Sequence, residues 1–283
     1  MRAGLILAGL MLSACQHVSA PPPVVADIRD LHSGQALSAQ ELVVRLASAS
    51  RLIVGEQHDN RDHHEVQGWL LQALGDQRPQ GSLLLEMLTP DQQTRVDDVR
   101  RAPTLPADLP DALAWQSGWD WSLYGPIVRF ALTQPYPLLA ANLEAAEVRA
   151  VYADQPTLSG ARTNAEPVRA ALLAQVSESH CGLLPESQMP AMLAVQQQRD
   201  RRMAERLLAA PAPALLLAGG YHARKDVGAP IHALDLGETQ APTVLMLAQR
   251  GTEVTAAEAD YVWYTPVTPA PDYCAQMRKQ FGK

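Results

Sequence analysis

Two stretches of the chain share the form Gly-x-x-His: Gly55-Glu56-Gln57-His58 and Gly219-Gly220-Tyr221-His222. Each follows directly on an apolar run, Leu52-Ile53-Val54 in one case and Ala214–Ala218 in the other. A glycine after a buried run lets the backbone turn, and the turn presents an imidazole at the strand end. Glu86 holds the corresponding place after Ser82-Leu83-Leu84-Leu85, and Asn142 holds it after Pro137–Ala141. Imidazole nitrogens and carboxylate oxygens suit Zn, Mn or Fe, so Glu56, His58 and His222 can form a divalent metal site. Glu86 can instead serve as a general base on water. A buried hydrogen-bond network that only ties the strand ends together would use the same residues. His63 and His64 open a helix that begins near Arg61 and is capped by Asp59 or Asn60. The helix dipole opposes a protonated imidazole there, and one of the two is expected to face solvent.

These side chains need elements to place them. Continuous apolar runs without alternation suit strands covered on both faces, as in a parallel sheet. The runs predict strands at Leu52–Val54, Ser82–Leu85, Pro137–Ala141, Ala214–Ala218, Ile231–Leu234 and Val244–Leu247. Helices are expected over Ala39–Ala49, Asp62–Leu74, Leu143–Ala153, Pro167–Ser177 and from about Glu186 to Ala209. In the last of these, Met189, Met192, Leu193, Met203 and Leu207 read as a core face, and Gln196 and Asp200 can face a site. The expected fold is α/β, with a mostly parallel central sheet flanked by helices and a helical insertion forming a smaller subdomain. In such sheets ligands bind beyond the carboxyl ends of the strands, where Glu56, His58, Glu86, Asn142 and His222 all fall. The insertion, residues 89–135, holds Trp115, Trp119, Trp121 and Tyr124. These rings read either as a small local core or as a wall of an apolar pocket.

Composition narrows the function. Of 283 residues, 47% are hydrophobic and 19% charged, and the net charge is −7. No basic tract is present to follow a phosphate backbone, which argues against nucleic-acid binding. Arg2, the apolar Gly4–Leu12 and then Leu12-Ser13-Ala14-Cys15 resemble a bacterial lipobox. That resemblance implies a signal peptide over residues 1–14 and a lipid on Cys15. Residues 15–26, with Pro21-Pro22-Pro23, then read as a tether to a domain over 27–283, with helical insertions at 89–135 and within 143–209. Gln16 after the cysteine points by the usual sorting rule to the outer membrane, facing the periplasm. Cys181 and Cys274 remain; outside the cytoplasm they form a bridge or stay as two buried thiols.

Several ordered blocks together resemble the ChaN family of haem-binding lipoproteins. They are GEQHDNRDHHEVQ, LLLEMLTPDQQ, WQSGWDWSLYGPI, AANLEAAEVR, AVQQQRDRRMAERL, LAGGYHARKDVGAP and ADYVWYTP. The resemblance implies a lipid-anchored protein of haem and iron uptake that works with receptor or transporter components. It implies haem bound at a homodimer interface, a Tyr on the iron, and a His and a Lys reaching the propionates. Tyr221 is the first candidate for the iron and Tyr124 the second. Lys225 and Arg224 are candidates for the propionates, and Glu56, His58, Glu86 and His222 for the surrounding pocket. The haem is expected in a groove between the sheet edge and the aromatic insertion. The wider superfamily, which includes Tiki-type metalloproteases and erythromycin-esterase-like proteins, implies the alternative of a metal-dependent hydrolase using Glu56, His58, Glu86 and His222.

Overall fold

The computed structural model describes residues 27–269 and 272–280; the lipobox, Cys15 and the proline tether lie outside them. Eight strands run in chain order: β1 (Asp27–Asp30), β2 (Ala36–Leu37), β3 (Arg51–Glu56), β4 (Ser82–Leu85), β5 (Leu138–Ala140), β6 (Ala214–Gly219), β7 (Thr243–Gln249) and β8 (Tyr261–Thr265). The helices are α1 (Ala39–Ala47), α2 (Arg61–Gln77), α3 (Gln93–Arg101), α4 (Leu109–Ala112), α5 (Trp121–Leu132), α6 (Ala145–Asp154), α7 (Glu166–Ser179), α8 (Met189–Ala209), α9 (Gly220–Ala223), α10 (Ala229–Asp235) and α11 (Tyr273–Gln280).

The strands form one sheet in the order β2-β1-β8-β7-β3-β6-β4-β5. From β8 to β5 every pairing is parallel; β1 and β2 add an antiparallel edge. Alternate residues of the apolar runs serve opposite faces. Leu52, Val54, Leu83, Leu85, Leu215 and Leu217 join a core with α1, α2, α3 and α5. Ile53, Leu84 and Leu216 join a second core with Met203 and Leu207 of α8 and Ala229 and Ala233 of α10. That two-sided burial explains why the runs show no polar alternation. Leu109, Leu113, Tyr124, Ile127 and Val128 of the helical insertion belong to the first of these cores.

The expected strand at Ile231–Leu234 is instead part of α10. Pro230 sits in its first turn, where a missing N–H costs nothing, and Ala229, His232 and Ala233 share the buried helical face. Strands β1 and β8 were not among the expected ones. Their pairing is what makes them strands, with Ile28 opposite Trp263 and Arg29 opposite Val262. Gly55 does not end its strand, since β3 continues through Glu56. Its lack of a side chain serves packing: a Cβ there would lie 2.7 Å from Ala223 Cβ and 2.8 Å from Met246 Sδ.

Candidate functional site at the carboxyl ends of the strands

Parallel registration brings the expected polar residues to one rim. Glu56 pairs with Gly219, and Leu85 with Leu217, so Glu56, Glu86 and the start of α9 lie side by side. Glu86 Oε2 accepts the Gly219 N–H at 2.7 Å, which fixes the carboxylate across two strands. Asn142 works from behind: its amide donates to the Glu86 backbone oxygen at 3.0 Å.

The result is a continuous chain of ionisable groups. The Tyr124 hydroxyl donates to Glu56 Oε1 at 2.9 Å, and the same oxygen lies 2.7 Å from His58 Nδ1. His58 Nε2 faces Glu86 Oε1 at 4.0 Å, and His222 Nε2 faces it at 3.5 Å. His222 Nδ1 lies 2.6 Å from Asp200 Oδ1 and 3.1 Å from the Gln196 amide, both on α8. Each imidazole thus has a carboxylate behind it and Glu86 in front. Gly219 must be glycine for His58 to sit there, because a Cβ would lie 2.8 Å from the imidazole.

Charge follows from these contacts. Burial opposes a proton on His58, but the Glu56 hydrogen bond and the Glu86 and Glu56 charges outweigh it and raise the imidazole to about 9. His222 is raised too: burial again opposes, and Glu86 and Asp200 prevail. Glu86 is fully buried, yet the two imidazoles and the Gly219 N–H hold it below the usual carboxylate range. Asp200 ends at about 6, because its burial exceeds the pull of His222.

Several expectations need correcting. His63 and His64 are both buried, so neither faces solvent. His63 Nδ1 accepts the Gln57 N–H at 3.0 Å, and His64 Nε2 bonds the His58 carbonyl at 3.0 Å, so the pair braces the turn that carries His58. Tyr124 is 1% exposed and commits its hydroxyl to Glu56, which removes it as an iron ligand. Lys225 is ion-paired with Asp260, and Arg224 pairs with Asp226 at 2.6 Å and Glu258 at 3.1 Å. These two cations clasp the β7–β8 connection to α9. Among the described residues no three His, Cys, Asp or Glu side chains gather so as to hold a metal ion. Glu56 Oε1 is taken up by His58 and Tyr124, and the Nδ1 atoms of His58 and His222 are each held by a carboxylate.

A cavity of about 440 Å³ opens on this rim. Glu56, His58, Gly219 and His222 lie at its polar end; Met246, Leu247 and Val254 give apolar wall; Tyr221 and Arg224 stand on the α9 side. Tyr221 is 42% exposed. The aromatic insertion does not line it. Trp115 and Trp121 stack edge-on at 5.0 Å, and Trp119 lies edge-on to His58 at 4.8 Å, so the rings form a local core that backs the imidazole. The outer wall, Gln175 of α7 and residues 252–254 and 258 of the β7–β8 connection, was missed in the sequence, where neither the polar side of a helix nor a loop marks a cavity wall. In the sequence Asp200 reads only as a residue that can face a site; its hydrogen bond to His222 makes it part of the chain of groups.

The described residues include no helix long and apolar enough to cross a membrane. Cys181 and Cys274 are joined in a disulfide.

A family described as "Haem-binding uptake, Tiki superfamily, ChaN" matches residues 42–232. No curated protein matches the chain. Among solved structures, one of cofacial haem binding to ChaN of Campylobacter jejuni is 29% identical, with a TM-score of 0.79, over 86% of this chain and 97% of that one. An erythromycin esterase in its open conformation is more distant, with 12% identity, a TM-score of 0.45, and coverage of 90% of this chain and 86% of that one. The family match spans well over half of the chain and agrees with the fold: this protein belongs to the ChaN family of haem-binding uptake proteins, and haem is its ligand.

Proposed function

We propose that the chain takes haem into the cavity at the ends of β3, β6 and β7, with the Tyr221 phenol on the iron. The observation that carries this reading is the contrast between two tyrosines at the rim. Tyr221 offers its ring to the cavity, whereas Tyr124 is sealed in the core with its hydroxyl committed. Bound ferric haem supplies a hard metal centre for which a phenolate oxygen is a matching axial donor. Met246, Leu247 and Val254 give the apolar wall that a porphyrin requires. Arg224 and Lys225 are already paired, so propionates of a bound haem would have the open side of the cavity left to them. There a second copy of the chain can meet them, in keeping with the cofacial haems of the Campylobacter relative. The lipobox and the disulfide support a lipid-anchored protein of the envelope, facing the periplasm from the outer membrane.

Hemin titration of a soluble form lacking residues 1–15 tests this. A Soret shift that saturates at one haem per chain is expected. Tyr221→Phe should alter the bound spectrum and weaken binding at least tenfold. An unchanged spectrum in that variant removes Tyr221 from the site.

A second reading rests on the two carboxylate-backed imidazoles facing Glu86, which is an arrangement for general acid–base work on water. Hydrolysis of an ester or amide by the metal-free protein, abolished in Glu86→Gln, would establish it; no turnover in the unaltered protein would dismiss it.

A further inference from the structure

We infer that the Cys181–Cys274 disulfide is a redox clasp on the rim of the haem cavity: closed, it fixes the rim; opened by a dithiol, it loosens the rim and speeds the loss of haem. This rests on the cavity being the haem site.

After β8 the C-terminal segment follows the rim. The Thr268 N–H donates to Gln249 Oε1 at 3.0 Å, and the Gln249 amide donates to Gln57 Oε1 at 2.9 Å; both glutamines line the cavity. The Tyr273 hydroxyl bonds the carboxylate of Asp59, the residue after His58. Cys274 is then joined to Cys181, 93 residues away, in the turn that follows α7. That helix carries Gln175, part of the cavity wall, and Glu178, whose charge acts on the Tyr221 phenol.

Both joined elements are poorly held by packing. No described side chain of α11 is buried, and in the fourteen residues of α7 only Leu172 and Val176 are. Segments that bury so little apolar surface open locally at low cost. The turn after α7 is also unfavourable by itself: Cys181 has φ +56°, a left-handed conformation that side chains other than glycine avoid. A covalent bond therefore does here what the hydrophobic core does elsewhere in the fold.

Opening the clasp is a balanced exchange. A dithiol gives up two electrons and two protons, the Cys181–Cys274 S–S bond breaks, two thiols form, and the dithiol leaves as its own disulfide. In an oxidising compartment the closed form is the resting state.

The test uses the soluble chain lacking residues 1–15, unaltered and as Cys181→Ser/Cys274→Ser. Haem loss is followed by capture with excess apomyoglobin. The double variant should release hemin at least tenfold faster with its bound spectrum unchanged. Amide exchange of the haem-free protein should speed up at residues 57–59 and 172–181 in the variant, and stay the same in β3, β4 and β6. Equal release rates, or equal exchange at the rim, overturn the proposal. If the variant does not fold, the unaltered protein is reduced and alkylated without haem, and the same exchange comparison decides. If the unaltered protein gives no Soret shift, the haem reading fails, while the exchange arm still shows whether the bridge holds the rim.

Discussion

Two pairs of histidines in this protein meet opposite fates. His58 and His222 are raised, His58 to about 9, while His63 and His232 are lowered to about 3. Desolvation, partial at His58 and nearly complete at the other three, pushes all four imidazoles toward the neutral form. What separates them is the partner. His58 and His222 each have a carboxylate on Nδ1 and share Glu86 in front of Nε2. His63 meets a backbone N–H and the Thr265 hydroxyl, and His232 meets the Arg201 guanidinium, so a proton on either would be unpaired. Closeness to the site does not decide the matter. His63 is five residues from His58 and still behaves as a core residue.

Removing the shared carboxylate should break this contrast most sharply. Glu86→Ala leaves two imidazoles facing no charge and the Gly219 N–H without its acceptor, and should cost about 3–5 kcal/mol, read from urea unfolding at pH 7. A loss under about 1 kcal/mol would mean that the chain of groups is not electrostatically organised. Gly219→Ala is next. Its Cβ would sit 2.8 Å from the His58 imidazole, so the ring must shift away from Glu86, at about 1–3 kcal/mol. The histidine NMR titration should then show His58 moving back toward 6.5. Tyr124→Phe removes one hydrogen bond to Glu56 and should cost about 1 kcal/mol, with hemin binding unchanged. A variant that loses hemin instead would return Tyr124 to the list of iron ligands.

The effects of pH have opposite signs for the two pairs. The folded protein holds the His58 proton to about 9 against an ordinary 6.5. Its contribution to stability is therefore complete below pH 6.5 and is lost as pH rises toward 9. His58→Gln should flatten the decline of Tm over that window. The effect is modest, because the side chain is 42% exposed and solvent screens it. His63 is held neutral down to about 3. The unfolded chain takes up a proton that the fold refuses, so this contribution is complete above pH 6.5 and is lost as pH falls toward 3. His63→Gln should flatten the acid side of the same curve and leave the alkaline side alone.

Much of the frame was legible beforehand. Leu52-Ile53-Val54, Leu83-Leu84-Leu85 and Ala214–Ala218 are apolar without interruption because both faces of those strands are covered, and that pattern is visible without coordinates. Parallel strands then require Glu56, Glu86 and His222 to share an edge, as they do. The run Ile231–Leu234 misled because four apolar or semi-apolar residues suit a strand or a helix turn equally, and the Pro230 start decided it. Strand β1, next to the edge, carries no pattern of its own, since Asp27–Asp30 offers one buried isoleucine among charged residues.

Residue order alone determined the α/β class, the rim on which the acidic and imidazole groups gather, and the family. Tertiary structure decided which groups remain available there. Arg224, Lys225 and Tyr124 look free on paper but are each committed to a carboxylate from a distant segment. Tyr221 stays open because no other described segment closes over it. The physical reason is that local pattern sets a strand and its direction, whereas the partner of a polar side chain comes from wherever the fold brings a second chain segment within about 3 Å.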